Sequence, residues 1–112
     1  MNPSEDKIQQ DCVKWYTNMY CLKHHDPRNI IYHVPNQNQH RLEKIGVLGG
    51  VADLVVIHNG EHIYIEMKDH KGVASLAQLE FKSRVESHGI RWYLCRSLEE
   101  FKKIFNKSKE KC

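Results

Sequence analysis

The chain has 112 residues, which is enough for one small domain with a single hydrophobic core, and we expect one domain over residues 1–112. No apolar run is long enough for a signal peptide or a membrane span, so we expect a cytoplasmic protein with no membrane partner. The cysteines (Cys12, Cys21, Cys95 and Cys112) and the eight histidines are dispersed, which argues against a disulfide framework and a four-ligand zinc site.

The net charge of +3 is small but unevenly distributed along the chain. Residues 82–112 carry nine Lys/Arg and four Asp/Glu, whereas residues 1–81 carry eight and ten. The last lysines predict a solvated, frayed basic tail over about residues 107–112. A polyanionic partner would be attracted to that end of the chain.

The first predicted element is a helix. Ser4 suits its N-cap, Glu5 lies at the positive end of the helix dipole, and Asp26-Pro27 ends it. Its apolar residues exceed what one core-facing stripe needs, so they either form a dimer surface or close over the sheet. They are Trp15, Tyr16, Met19, Tyr20 and Leu22.

Two short elements are predicted next. A strand over residues 30–34 is stopped by Pro35, and a short helix over residues 37–45 carries Arg41 and Lys44. Glycines at 46, 49 and 50 then predict a flexible approach to the following element.

Residues 50–68, GVADLVVIHNGEHIYIEMK, predict a β-hairpin. Asn59-Gly60 between two apolar runs is the strongest short-range hairpin signal, and it pairs the residues on either side of it. In that register Asp53 lies opposite Glu66, and Lys68 points to the same face of the hairpin.

Two carboxylates directly opposite each other repel, because their Cβ atoms are about 4.5–5.5 Å apart. A divalent cation bridging Asp53 and Glu66, with Lys68 beside them, would compensate, and this constellation is typical of metal-dependent phosphodiesterases. The Glu-x-Lys spacing alone is not specific, because it occurs four times in the chain. The alternative is a surface hairpin whose charges face water. The apolar run over 54–57, typical of a strand covered on both faces, argues against it.

The remainder of the chain predicts a crossover. A loop over 69–73 leads to a helix that Ser75 caps and Gly89 ends. A strand over 91–95 and a last helix, opened by the capping box of residues 97–100, follow. The strand after a crossover helix should lie parallel to the strand of Glu66, so the predicted fold class is α/β, a mixed sheet flanked by helices.

The hairpin resembles the core of the PD-(D/E)-x-K nucleases, and nearly the whole chain resembles their virus-type replication–repair branch, the VRR-NUC domain. The matching pieces are Ser4-Glu5 with Ile8-Gln9, His33-Val34-Pro35-Asn36, Arg41, Gly46 with Gly49-Gly50-Val51-Ala52-Asp53, Ile65-Glu66-Met67-Lys68, Gln78, and Gly89 through Arg96-Ser97. Ala52 stands where the family usually has proline, which shapes the backbone only. The resemblance implies a restriction-endonuclease-like fold.

The resemblance also implies a metal site. Asp53, Glu66 and the backbone carbonyl of Met67 would bind Mg²⁺ or Mn²⁺, which prefer few oxygen ligands and open water positions. Lys68 would orient the attacking water and offset charge in the transition state. The alternative for Lys68 is a salt bridge to Glu66.

Further roles follow from the resemblance, each with an alternative. Glu5 would complete the acidic cluster or interact only with the helix dipole. Gln78 would be the glutamine of the helix after the active-site strand, or only a capping-box residue. Asn36 and Arg41 would contact the phosphate backbone, although a turn residue and a solvated arginine account for them equally well. The predicted nucleic-acid contacts also include Lys44 and Lys71.

The function that the resemblance implies is a Mg²⁺- or Mn²⁺-dependent endodeoxyribonuclease of a bacterial or phage-infected cell, active in DNA repair. Its partner would be branched DNA such as a four-way junction, bound by a homodimer with no small-molecule cofactor. One alternative is a non-catalytic nucleic-acid-binding or protein-binding module with the same fold. Another is a nuclease that acts on RNA or other DNA structures. The retained carboxylate pair and Lys68 argue against the non-catalytic module.

Overall fold

The computed structural model describes residues 3–22, 26, 28–35, 46 and 48–110, with side chains as far as Asn106. The helices and strands are α1 (Glu5–Tyr16), β1 (Ile30–His33), β2 (Leu54–His58), β3 (Glu61–Met67), α2 (Leu76–Glu86), β4 (Arg91–Cys95) and α3 (Leu98–Glu110). This order is the predicted one, and the predicted helix over 37–45 lies outside the described residues. None of the helices within the described ranges is long and apolar enough to span a membrane.

The hairpin forms as the sequence predicts. Asn59 (φ 50°) and Gly60 (φ 84°) both adopt the left-handed conformation that a two-residue hairpin turn requires. His58 pairs with Glu61, and the register continues to Leu54 opposite Ile65. One more step along this register places Asp53 beside Glu66, at the end of the hairpin away from the turn.

The four strands form one mixed sheet in the order β1-β2-β3-β4. The first two pairs are antiparallel, and β4 lies parallel to β3, with Glu66 paired with Leu94. The crossover through α2 therefore gives the predicted parallel pairing of β3 and β4, the arrangement typical of two strands joined through a helix. The α/β fold class is confirmed.

Helices cover both faces of the sheet. Helices α1 and α3 lie over one face, where the fully buried side chains include Leu54, Ile63 and Phe101. Helix α2 packs on the other face through Phe81 and Val85. The ends of β2 and β3 that carry Asp53 and Glu66 therefore lie between two packed layers, at one edge of the core.

The first helix ends earlier than expected. A π-helical turn, Thr17–Cys21, follows α1, and Leu22 is extended (φ −110°, ψ 163°), so the helix stops before the predicted boundary at Asp26-Pro27. The aromatic residues of this segment pack inward, since Trp15 and Tyr16 contact the ring of Phe105. Of the two predicted roles for these rings, the structure shows closure over the sheet.

The caps of the later helices follow the sequence closely. Ser75 and Gln78 form the predicted capping box of α2, and Gly89 (φ 77°) follows the end of that helix. At α3, Ser97 Oγ accepts the Glu100 N–H as expected, but the Glu100 carboxylate accepts the N–H of Arg96. The α3 backbone is helical as far as Glu110, through part of the stretch expected to fray.

Candidate functional site

Glu66 is the buried centre of the site. It lies on β3, flanked by buried residues, and only 1% of its surface is exposed. Its Oε2 accepts a hydrogen bond from Gln78 Nε2 (2.9 Å) and lies 3.4 Å from Lys68 Nζ. Its Oε1 is buried and has no hydrogen-bond partner among the described residues. When Glu66 is ionised, a buried oxygen without a donor is costly, so either a proton that bonds to Asp53 or a cation must compensate it.

Both the carboxylate and the backbone carbonyl of Asp53 accept hydrogen bonds. Its carboxylate Oδ2 accepts the backbone N–H of Met67 (2.8 Å), which joins the start of β2 to the end of β3. Its backbone carbonyl accepts the N–H of Val34 (2.8 Å), which joins it to the end of β1. The side chain is therefore fixed next to Glu66, although neither carboxylate can donate to the other when both are ionised.

The electrostatics of the acid pair agree with the repulsion inferred from the sequence. The pKa of Glu66 is raised to about 8, chiefly by burial and also by the hydrogen bond of its protonated form to Asp53 and the negative charge of Asp53. The charge of Lys68 acts in the opposite direction and lowers this pKa. The site without a cation therefore favours a proton on Glu66 near neutral pH, and a cation would replace that proton.

Lys68 lies within the site rather than in solvent. Its side chain is only 15% exposed, and its ammonium group forms an ion pair with Glu66. Its backbone N–H donates to the carbonyl of Cys95 (3.0 Å), so β4 fixes its main chain. The structure shows the salt bridge to Glu66, and the catalytic role of Lys68 stays a prediction.

Gln78 takes part in the predicted capping box and also contacts Glu66, while its role in catalysis stays a prediction. Its Oε1 accepts the N–H of Ser75 (2.8 Å), and its own N–H donates to Ser75 Oγ (3.1 Å). The remaining side-chain donor, Nε2, binds Glu66. The capping box therefore fixes the orientation of the amide, so that the nitrogen faces the acid.

Glu5 lies within electrostatic reach of Asp53 and Lys68, but among the described residues it does not form a three-residue metal-binding cluster with the acid pair. Partial burial raises the pKa of Glu5, the charge of Asp53 raises it further, and the charge of Lys68 lowers it. Within the described part of the chain, no three His, Cys, Asp or Glu side chains are close enough to hold a metal ion. The candidate side-chain ligands are therefore Asp53 and Glu66, and the carbonyl of Met67 stays a predicted ligand.

These residues fit a hard divalent cation. Both side chains offer carboxylate oxygens, and the buried Glu66 Oε1 carries lone pairs that no described donor uses. Oxygen ligands in small number, with the remaining positions left to water, suit Mg²⁺ and Mn²⁺. Sulfur ligands are absent from this set, which does not favour zinc.

The loop after Lys68 is tightly bound. Asp69 Oδ1 accepts the backbone N–H groups of Lys71 and Gly72, and these bonds lower the pKa of Asp69. The guanidinium of Arg96 donates to the carbonyls of Asp69 (2.7 Å) and Gly72 (2.6 Å). The exposed side chain of Lys71 is thus presented from a fixed loop beside the site.

Gly50 contradicts the expectation of a flexible approach. Its φ is +80°, and a Cβ at this position would lie 2.4 Å from the carbonyl oxygen of Ala77 in the first turn of α2. The glycine therefore allows close packing of the chain before Asp53 on the helix that carries Gln78. Ala52, where the resembled family usually has proline, is fully buried beside Phe81.

The predicted nucleic-acid contacts are only partly described. Asn36, Arg41 and Lys44 lie outside the described residues. Two residues that the sequence did not single out for a role have contacts at the site: His33, which binds the Asp53 carbonyl, and Arg96. The sequence feature that could have identified both residues is their place at the end of a predicted strand, because each of these strands lies next to the hairpin.

Comparison with known proteins agrees with the fold. No family model matches this sequence, and no curated protein matches it. A solved structure described as a "VRR_NUC domain protein" superimposes with a TM-score of 0.77 and 19% sequence identity, over 95% of this chain and 88% of that chain. The protein therefore has the fold of that VRR-NUC structure, as the resemblance implied.

Proposed function

We propose that this protein is a divalent-metal-dependent endonuclease that hydrolyses phosphodiester bonds in branched DNA, with four-way junctions as its main substrate. The observation that carries the proposal is the Oε1 atom of Glu66, buried and without a donor, next to Asp53. The similarity of the fold to a VRR_NUC domain protein supports the nuclease class.

The chemistry follows from the side chains that surround this oxygen. A cation held by Asp53, Glu66 and the Met67 carbonyl would lower the pKa of a water molecule and polarise the phosphodiester. Lys68, with its ammonium 3.4 Å from Glu66, offsets the negative charge that develops on the phosphoryl oxygens. Gln78 holds the Glu66 carboxylate in one orientation, so that Oε1 remains directed away from the amide.

Recognition of DNA shape suits this site better than recognition of a base sequence. The described elements include a sheet and three helices, and the exposed Lys71 lies on the short hydrogen-bonded loop that follows Lys68. Lysine contacts of this kind bind phosphates and carry no base information. Branched DNA offers a distinctive backbone geometry, and a homodimer with two active sites would match the two-fold symmetry of a four-way junction.

The direct test is cleavage of end-labelled four-way junction, flap and linear duplex DNA, with Mg²⁺, Mn²⁺, Ca²⁺ or EDTA. We expect nicking of branched DNA in Mg²⁺ or Mn²⁺, binding without cleavage in Ca²⁺ because its ligand geometry is looser, and no product in EDTA. Cleavage that persists in EDTA would contradict the metal mechanism. Equal cutting of linear duplex would contradict the substrate class.

Matched variants separate the site from the rest of the surface. Glu66→Gln and Lys68→Ala should abolish cleavage. Lys82→Ala should leave cleavage unchanged, because Lys82 lies on α2 and is ion-paired with Glu86 (3.7 Å). A loss of activity in Lys82→Ala equal to that in Lys68→Ala would indicate a general charge effect.

A further inference from the structure

The backbone carbonyl of Asp53 accepts two hydrogen bonds. One comes from the N–H of Val34 and the other involves Nδ1 of His33, and both distances are 2.8 Å. A carbonyl oxygen can only accept, so the ring nitrogen in this contact must carry the proton. The structure therefore assigns the Nδ1–H tautomer to the neutral imidazole of His33, with Nε2 left as an acceptor.

This bond completes a three-point attachment of Asp53. The N–H of Met67 holds the carboxylate from β3, while Val34 and His33 hold the carbonyl from the end of β1. Asp53 lies just before β2, whose first residue paired with β3 is Leu54. The position of Asp53 therefore depends on these three hydrogen bonds. The attachment sets both the main-chain direction and the side-chain direction of this residue.

The exposure of the His33 side chain argues that this residue is not needed for packing of the core. His33 lies on an edge strand and its side chain is exposed, whereas the buried residues of the adjacent core are apolar. Its imidazole therefore contributes little to the core. The described contact that distinguishes it from any other surface residue of β1 is the bond to Asp53.

We propose that His33 is a positioning residue for the metal ligand Asp53, an inference that rests on the proposed function. By donating from Nδ1, His33 fixes the main chain of Asp53 so that its carboxylate meets the cation together with Glu66. Partners that orient a ligand in this way raise metal affinity by about 10–100-fold in characterised sites. His33 acts through Asp53 and needs no contact with the substrate.

Three variants test the role. His33→Leu removes the donor while keeping similar volume, and His33→Asn retains a side-chain N–H at the place of Nδ1. His88→Leu is the control, because His88 is exposed in the turn after α2. The first measurement is Mn²⁺ affinity, by titration calorimetry or by loss of the free-ion paramagnetic resonance signal, together with the thermal midpoint.

The expected result is a loss of Mn²⁺ affinity of about 10-fold or more in His33→Leu, recovery to within about threefold of wild type in His33→Asn, and no change in His88→Leu. Junction cleavage should follow the same order, with the change in kcat rather than KM. Unchanged Mn²⁺ affinity in His33→Leu would overturn the proposal. Equal loss in His33→Asn and His33→Leu would also overturn it, because the Nδ1 donor would then not be the part that matters.

A metal-free measurement separates this inference from the proposed function. Nitrogen-15 NMR of the imidazole, at a pH where the ring is neutral, reports which nitrogen carries the proton. The Nδ1–H form is expected for His33. The Nε2–H form would overturn the tautomer assignment, and this result does not depend on whether the protein cleaves DNA. If the tautomer is Nδ1–H and wild type binds no Mn²⁺, the proposed function fails, and the role of His33 toward a metal fails with it.

Discussion

The side-chain amide of Gln78 donates to Oε2 of the buried Glu66 across 2.9 Å. This bond joins the first turn of α2 to the middle of the site on β3. Because Ser75 orients the same amide through the capping box, a local helix-capping motif determines how the acid is presented. Capping and positioning therefore can be separated by mutation.

Gln78→Leu removes the bond to Glu66 and the bond from the Ser75 N–H, whereas Ser75→Ala removes only the Oγ cap. We expect Ser75→Ala to lose about 1 kcal/mol of unfolding free energy, the usual cost of removing an N-cap, and Gln78→Leu to lose about 1–3 kcal/mol, because the buried Glu66 loses a donor. Cleavage should fall about 10–100-fold in Gln78→Leu, as for other residues that orient a metal ligand, and by less than about fivefold in Ser75→Ala. Denaturant unfolding and junction cleavage measure the two quantities. Equal activity in both variants would show that the bond to Glu66 has no role in catalysis.

Substitutions of Asp53 should separate catalysis from stability. Asp53→Asn keeps an oxygen that accepts the Met67 N–H, so it should abolish cleavage while the thermal midpoint stays unchanged or rises slightly as the repulsion with Glu66 is relieved. Asp53→Ala leaves that N–H without a partner at a buried residue, which costs about 1–3 kcal/mol. Thermal and denaturant unfolding of the metal-free protein test whether Asp53→Asn is more stable than Asp53→Ala. A large loss of stability in Asp53→Asn would indicate a structural site.

Gly50 and Gly49 offer a matched pair of substitutions. An alanine at Gly50 meets two costs, about 1–2 kcal/mol for the left-handed conformation and about 1–3 kcal/mol for displacing the first turn of α2. A Cβ at Gly49 meets nothing within 4 Å, so Gly49→Ala should leave stability unchanged or raise it by up to about 1 kcal/mol. Unfolding free energies give the comparison. Similar values for the two variants would contradict the close packing described for Gly50.

His58 introduces a dependence of stability on pH. Its Nδ1 lies 2.9 Å from the hydroxyl of Tyr16, and its ring packs on Tyr20 and Phe105. Burial lowers the pKa of His58 below its usual value of 6.5, the charge of Glu61 raises it, and the charge of Arg91 lowers it. The folded state therefore binds this proton less readily than the unfolded state.

The sign of the effect follows from proton linkage. At pH values below about 6.5 the unfolded state takes up a proton that the folded state resists, so the contribution of His58 is complete above that pH and is lost as the pH falls. His58→Asn cannot titrate, so the difference in unfolding free energy between wild type and this variant should shrink from pH 7.5 to pH 5. A difference that is constant over this range would show that the pKa of His58 is not depressed by folding.

Much of the hairpin was predictable because its determinants are local. Asn59-Gly60 fixes the turn, the turn fixes the register, and the register places Asp53 beside Glu66. The parallel arrangement of β4 was also predictable, since a crossover through a helix is the connection typical of parallel strand pairs. Local sequence therefore carries both the fold and the acid pair.

What could not be predicted depends on contacts between distant segments. The close approach of Gly50 to Ala77, the bond of His33 to Asp53 and the double role of Gln78 join residues that are 12–27 positions apart. No periodicity or capping pattern signals such contacts, because they follow from how the layers pack. For Lys68 and Gln78 the structure shows contacts with Glu66, and their catalytic roles stay predictions.

The predicted homodimer is tested by its mass and by its cuts. The rings of Trp15, Tyr16 and Tyr20 pack within the protomer, which leaves Met19 and Leu22 as the exposed apolar residues of that segment. Light scattering should give about twice the 13.2 kDa of one chain. Because a dimer places two equivalent sites on a two-fold symmetric junction, strand-resolved gels should show nicks at symmetric positions on opposing strands, and single flaps should be poorer substrates. A monomer that cuts flaps and junctions equally well would contradict the dimer. It would not test the roles of Asp53, Glu66 and Lys68, which the substitutions of those residues test separately.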